Sequence, residues 1–84
     1  MITQIDEIIR VVVVFGGDKK LRPVYFLWKN RKYKILKITY TWISWEGKAK
    51  IYHFSALDTN DNLFELCYNS ESMVWKLVNV QIEE

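Results

Sequence analysis

The two side chains best suited to chemistry in this chain are its single histidine, His53, and its single cysteine, Cys67. If residues 59–61 form the loop of a β-hairpin, the register places His53 directly across from Cys67. Such a pair can generate a thiolate nucleophile, but catalysis also needs an oxyanion site and usually an orienting third group. Glu65 is on the same strand face, yet nothing indicates an oxyanion site. Chance adjacency is the favoured interpretation, so we expect no catalytic residues.

Metal and cofactor chemistry is not indicated either. His53 and Cys67 are two ligands, whereas a structural zinc ion needs four. The pair Gly16-Gly17 is followed by no phosphate-binding pattern and is typical of a turn. We therefore expect no metal, no cofactor and no small-molecule substrate.

The segment WKNRKYK, residues 28–34, suggests a different chemistry, because it holds four cationic and two aromatic side chains. Cations interleaved with rings on a β surface bind single-stranded DNA or RNA, since cations contact phosphates and rings stack on bases. Lysines on exposed strands also keep sheet edges soluble, and this alternative of a merely solvated surface remains open. The residues expected to contact nucleic acid are Tyr25, Lys29, Arg31, Lys32 and Lys34.

Charge is unevenly distributed along the 84 residues, whose formal net charge is +2. Residues 19–50 hold ten Lys or Arg against one acid, whereas residues 51–84 hold one Lys against six acids. This separation predicts a basic and an acidic side, and it bears on partners rather than on fold. Half of the residues are hydrophobic and 15% are aromatic, a composition that excludes intrinsic disorder.

Length and composition predict a single soluble domain over residues 1–84. The longest apolar run, residues 11–15, is far shorter than the roughly 20 residues that cross a bilayer, so no membrane partner is expected. The lone cysteine cannot close an intramolecular disulfide, and the first ten residues are acidic where a secretion signal is basic. Both features favour a cytoplasmic protein.

Hydrophobic residues recur at period two almost throughout, which predicts an all-β fold. Short polar turns separate six strands and leave no room for crossover helices, so we expect an antiparallel meander bent into a small, partly open barrel. The spacing of Thr3 and Asp6 resembles a capping box and suggests a short N-terminal helical turn. The strands are expected near residues 8–15, 22–28, 32–44, 49–57, 63–68 and 74–82.

Side-chain parity predicts the pairing within these strands. A two-residue Lys29-Asn30 turn pairs Trp28 with Arg31, Phe26 with Tyr33, Val24 with Ile35, Leu27 with Lys32 and Tyr25 with Lys34. The inward-facing apolar residues occupy odd positions up to Ile35 and even positions from Ile38 onward, so a β-bulge is expected near Leu36-Lys37. Beyond it, we expect four inward pairs: Tyr40 with Phe54, Trp42 with Tyr52, Phe54 with Leu66, and Tyr52 with Tyr68.

An apolar set on the outer face of the sheet suggests association with another polypeptide. This set is expected to contain Ile43, Trp45, Ile51, Leu57 and Leu63, and the first three are the candidate interface residues. Either the N-terminal segment covers these side chains, or a partner protein or a second copy of the chain does. A homodimer therefore remains open beside nucleic acid as a partner.

Four short patterns carry a resemblance to a known family. They are Arg22-Pro23-x-x-Phe26-x-Trp28, Tyr33-x-Ile35-x-x-Ile38, Phe64-x-Leu66 and Trp75-x-Leu77-x-x-Val80. Together they resemble a family of small bacterial domains of unknown function, found alone or as a tail on proteins related to translesion DNA polymerases. The resemblance runs from about Ile8 to Val80, although Asn30 stands where a glycine is expected in the first turn. It implies a β fold and favours DNA over RNA as a partner, but it carries over no functional residues.

Overall fold

The computed structural model describes residues 2–18 and 20–82, and it confirms an all-β fold with no helix in those residues. Each strand pairs antiparallel with its neighbour in sequence, and the first strand pairs with the last, so the meander closes into a ring. The strands are β1 (Ile2–Phe15), β2 (Leu21–Trp28), β3 (Arg31–Glu46), β4 (Ala49–Asp58), β5 (Leu63–Asn69) and β6 (Val74–Gln81).

The predicted N-terminal helical turn is wrong, because those residues form the first half of β1. Thr3 pairs with Val80 and Ile9 with Trp75, so the segment satisfies its backbone groups on the edge of β6. The register shifts between Gln4 and Glu7, and Asp6 adopts a left-handed conformation (φ 53°) within this bulge. The sequence pattern attributed to a helix cap therefore marks a β-bulge.

Two long strands are each shared between two parts of the ring. Residues 2–9 of β1 pair with β6, whereas residues 10–15 pair with β2. Residues 31–34 of β3 pair with β2, whereas residues 35–46 pair with β4. No pairing joins residues 21–24 of β2 to the second half of β3 within the described chain. The ring is thus closed in strand order but open on one side between β2 and β3.

The β2–β3 hairpin has the predicted turn and register. Lys29 and Asn30 both have positive φ (52° and 60°), as a type I′ turn requires. Four of the five predicted pairs are confirmed: Trp28 with Arg31, Leu27 with Lys32, Phe26 with Tyr33 and Tyr25 with Lys34. The fifth is not formed, because Ile35 already pairs with Asp58 of β4.

Strand β3 contains the predicted bulge and also a second one. The register shifts between Ile35 and Lys37, which confirms the first, and shifts again between Ile38 and Tyr40. After the second bulge, the odd-numbered side chains of β3 point inward again, as they do before the first bulge. The predicted pairs Tyr40–Phe54 and Trp42–Tyr52 are therefore wrong. Thr41 pairs with Phe54 and Ile43 with Tyr52 instead, while Tyr40 pairs with Ser55 and is 66% exposed.

The core fills the ring on the side of β5 and β6. The predicted pairs Phe54–Leu66 and Tyr52–Tyr68 are both formed. Phe26 stacks on Tyr33 with ring centroids 5.1 Å apart, and burying a ring of this size contributes roughly 1.5–3 kcal/mol. The buried cluster comprises Ile9, Phe26, Phe54, Phe64, Leu66, Trp75, Leu77 and Val80.

Candidate functional site

The cationic side chains of the first hairpin share one face with a tyrosine. Tyr25 pairs with Lys34, and the Lys32 ammonium lies 4.2 Å from the centroid of the Tyr25 ring. Phe26, the next residue along β2, is buried in the core. Because successive side chains point to opposite faces of a strand, Tyr25, Lys32 and Lys34 lie on the outer face of the ring.

The two other predicted nucleic-acid contacts lie apart from this face. Lys29 is in the turn, with its ammonium 4.7 Å from the centroid of the Trp28 ring. Arg31 pairs with Trp28, so its side chain is on the same face of the hairpin as the inward-facing Phe26–Tyr33 pair. Both side chains are exposed at the hairpin tip, but the pleat separates Arg31 from Lys32.

Strand β1 extends the face in a way that the sequence alone did not reveal. Two rows of side chains cross β1, β2 and β3. The first row is Arg10–Leu27–Lys32, and the second is Val12–Tyr25–Lys34. We call these six residues the basic sheet face. Arg10 was missed because its place depends on the register between β1 and β2, and a bulge after Val12 lies within that register.

The open side of the ring forms a cleft with a volume of about 820 Å³. On one side, β2 contributes Leu21, Arg22 and Pro23, and on the other, β3 contributes Ile38, Thr41 and Ile43. Tyr52, Phe54 and Tyr68 also line the cleft, with Phe15 and Lys20 near the β1–β2 turn. This volume lies within the range typical of ligand sites. The cleft is on the inner side of the ring, whereas the basic sheet face is on the outer side.

The predicted apolar interface is only partly exposed. Ile43 is 51% exposed and Trp45 is 66% exposed, but Ile51 is 6% exposed and is not available to a partner. Ile51 pairs with Ser44, so its side chain is on the opposite face of the sheet from Ile43. The second bulge in β3 causes this separation. Leu57 and Leu63 pair with each other and are half-buried.

The predicted pairing of His53 with Cys67 is confirmed, but His53 is held by other residues. Its ring stacks on Trp42 of β3, with centroids 4.9 Å apart and planes 3° apart. Its Nε2 atom shares a hydrogen bond of 2.7 Å with Ser44 Oγ. Burial raises the pKa of the Cys67 thiol, and the nearby Lys76 ammonium opposes this effect more weakly. The thiol is therefore held in its protonated form, which is a poor nucleophile.

Ser44, His53 and Glu65 are the residue types of a hydrolase triad, and His53 lies between the other two, but its distance to the acid is long. His53 Nδ1 lies 4.0 Å from Glu65 Oε2, beyond hydrogen-bonding distance. Glu65 Oε1 instead accepts a hydrogen bond of 3.1 Å from Asn79. Ser44 lies within a regular strand pair, not on a strained turn that would expose a nucleophile. This geometry orients the His53 ring against Trp42.

Residues 2–18 and 20–82 contain neither a metal-binding cluster nor a membrane-spanning helix. These residues include no group of three or more His, Cys, Asp or Glu side chains placed to hold a metal ion. They also include no helix with the length and apolar character needed to cross a membrane.

Comparisons of the chain with protein-family models, with curated proteins and with solved structures each found no match. The resemblance to small bacterial domains therefore stays a prediction.

Proposed function

We propose that this protein is a non-catalytic binding module that holds single-stranded nucleic acid on the basic sheet face. The observation that carries this proposal is the arrangement of Arg10, Lys32 and Lys34 around the Tyr25 ring. Lys32 and Lys34 are separated by about 7 Å along β3, and Arg10 lies about 10 Å away across the sheet. Three cations at this spacing suit several phosphates of one flexible strand.

The apolar members of the face support the same proposal. Val12 and Leu27 are exposed beside Tyr25, which gives the bases an apolar surface for stacking and packing. A base that stacks on Tyr25 displaces the Lys32 ammonium from the ring, and that ammonium then contacts a phosphate. Stacking of one base on an aromatic side chain contributes about 1–3 kcal/mol.

A titration of a fluorescently labelled single-stranded oligonucleotide at several salt concentrations tests the proposal. The variant Lys32→Glu/Lys34→Glu is expected to weaken binding strongly at low salt. It should also reduce the slope of log K against log salt by about 1.4, because each phosphate contact on a single strand contributes about 0.7. The matched control is Lys20→Glu/Lys48→Glu, which makes the same change in net charge at exposed positions away from this face. No binding by the unaltered protein at low salt contradicts the proposal, as does equal weakening by the two variants.

A second candidate function is association with another polypeptide, and it is favoured by the second half of β3. Large apolar side chains are exposed along this segment on both faces: Leu36, Tyr40, Ile43 and Trp45. One edge of this segment has no strand partner within the described part of the chain. Exposed apolar side chains beside an unpaired strand edge are typical of an interaction site. Ile43→Ser/Trp45→Ser is expected to abolish concentration-dependent association in sedimentation velocity. Ile2→Ser/Ile8→Ser, which replaces two other exposed isoleucines, is the control. If the control abolishes association equally, the assignment to β3 is wrong.

A further inference from the structure

We propose that the cleft receives one extended segment of a partner protein, which pairs along the free edge of β3 as an additional strand. This inference rests on the second candidate function and names its partner chemistry and its mode of binding. It does not depend on nucleic-acid binding, because the basic sheet face lies on the outer side of the ring.

The free edge of β3 supplies the backbone groups for this pairing. From Lys37 to Glu46, β3 pairs with β4 along one edge, and its other edge has no strand partner among the described residues. The alternate N–H and C=O groups on such an edge are a template for an incoming strand. A polypeptide satisfies these groups, whereas a lipid or a nucleic acid offers no matching ladder.

The opposite wall of the cleft is less suited to pairing, which assigns the incoming strand to β3. Residues 21–23 of β2 pair with β1 and form this wall. Pro23 is buried within it and has no N–H group to donate. Leu21 and Pro23 therefore offer the incoming segment mainly apolar contact.

The interior of the cleft favours apolar side chains on one face of the segment. Tyr52, Phe54 and Tyr68 line the cleft beside Ile38 and Ile43 of β3. Because side chains alternate along a strand, every second residue of the segment points toward these groups. Apolar residues at those positions bury the exposed side chain of Ile43, which is otherwise half in water.

The charged groups around the cleft favour acidic residues at the remaining positions. The Lys50 ammonium lies 5.0 Å from the centroid of the Tyr52 ring, and Lys20 lines the cleft near the β1–β2 turn. Arg22 also lines it, although Asp18 accepts a hydrogen bond of 3.0 Å from this guanidinium. Among the described residues, these three cations outnumber the one acid and attract an anionic segment. The partner segment thus alternates apolar and acidic residues.

A test uses a capped seven-residue peptide of alternating glutamate and valine, with binding measured by calorimetry. The full chain is expected to bind it about tenfold or more tightly than the same peptide with lysine in place of glutamate, a difference of about 1.4 kcal/mol or more. A version N-methylated at alternate residues, which cannot donate to a strand edge, is expected to lose binding by a similar factor. Ile43→Glu should weaken binding about tenfold, whereas Ile8→Glu, at an exposed position on β1, should not.

Each contrary result overturns a defined part of the proposal. Equal binding of the N-methylated peptide excludes strand pairing, and equal binding of the lysine peptide excludes the acidic partner. No binding, or binding unchanged by Ile43→Glu, excludes the cleft. If the unaltered chain forms a dimer in sedimentation velocity that the peptide does not dissociate, the occupant of the β3 edge is a second copy and the proposed partner is wrong. Association that is lost in Ile43→Ser/Trp45→Ser without peptide binding leaves the second candidate function standing while this inference fails. Competition by single-stranded oligonucleotide also contradicts it, because the two sites are on opposite sides of the ring.

Discussion

Lys32 and Tyr25 interact diagonally across the first hairpin, with the ammonium 4.2 Å from the ring centroid, while Lys34 is the direct partner of Tyr25. If bases stack on this ring, Tyr25→Leu should lower oligonucleotide affinity by about 1–3 kcal/mol with little change in the salt dependence. Fluorescence anisotropy at two salt concentrations measures both quantities. Tyr40→Leu is the matched control, since Tyr40 is an exposed tyrosine on the second half of β3. A loss of salt dependence without a loss of affinity would contradict a stacking role.

The register of the first hairpin could be predicted from the sequence, because one short turn determines it. Asn30 tolerates positive φ, and a two-residue turn leaves only one way to pair the flanking residues. The side chains of Tyr25, Lys32 and Lys34 were therefore placed correctly on one face. Arg10 and β1 were not, since pairing between β1 and β2 also depends on a bulge.

The second half of β3 was predicted with the wrong faces, because one additional residue reverses the direction of every side chain after it. The second bulge lies near Thr39, whose Oγ1 donates a 3.2 Å hydrogen bond to the carbonyl oxygen of Ser55. Nothing in the apolar pattern marks this position, since Trp42 and Ile43 are both hydrophobic. The stacking of Trp42 on His53 and the opening of the cleft beside Ile43 both depend on it.

The β3–β4 turn provides a test of backbone conformation without a steric complication. Gly47 has φ of 60°, whereas Gly17 in the β1–β2 turn does not have positive φ, and a Cβ atom at either position would meet open space. Gly47→Ala is expected to lower the free energy of unfolding by about 1–2 kcal/mol, the cost of a left-handed conformation for alanine. Gly17→Ala should be neutral or stabilise by up to about 1 kcal/mol. Urea unfolding measures both, and equal effects would contradict the conformational explanation.

The β4–β5 turn depends on one buried carboxylate. Asp58 accepts hydrogen bonds of 2.8 Å from the Asn60 N–H, 2.9 Å from the Asn62 N–H and 3.2 Å from the Asn62 side-chain amide. Asp58→Ala should lower the free energy of unfolding by about 1–3 kcal/mol, because it leaves three partly buried N–H donors without their acceptor. Asp58→Asn keeps one acceptor oxygen and should cost less. Glu71→Ala, at an exposed position, is the control, and urea unfolding is the measurement. A loss below about 0.5 kcal/mol for Asp58→Ala would mean that water replaces the carboxylate.

The Cys67 thiol is predicted to react slowly and to make stability depend on alkaline pH. An ordinary cysteine thiol has a pKa of about 8.5. Because burial raises the pKa of Cys67, its alkylation rate with iodoacetamide should still be rising above that pH. The folded state then retains the thiol proton at a pH where the unfolded chain has lost it. The contribution of this group to stability is therefore complete below about pH 8.5 and is lost as pH rises further. Urea midpoints at pH 7 and pH 9.5, compared with Cys67→Ala, measure this loss.

The same thiol decides whether the His53–Cys67 pair has any chemistry. His53→Ala should leave the alkylation rate unchanged or raise it slightly by exposing the sulfur, because His53 shares its hydrogen bond with Ser44 and not with the thiol. Cys67→Ser should leave oligonucleotide binding unchanged, since Cys67 faces Lys76 of β6, a strand that contributes nothing to the basic sheet face. Rapid alkylation at pH 6 that disappears in His53→Ala would instead indicate a thiolate stabilised by a charged imidazole, and would require a catalytic function to be tested.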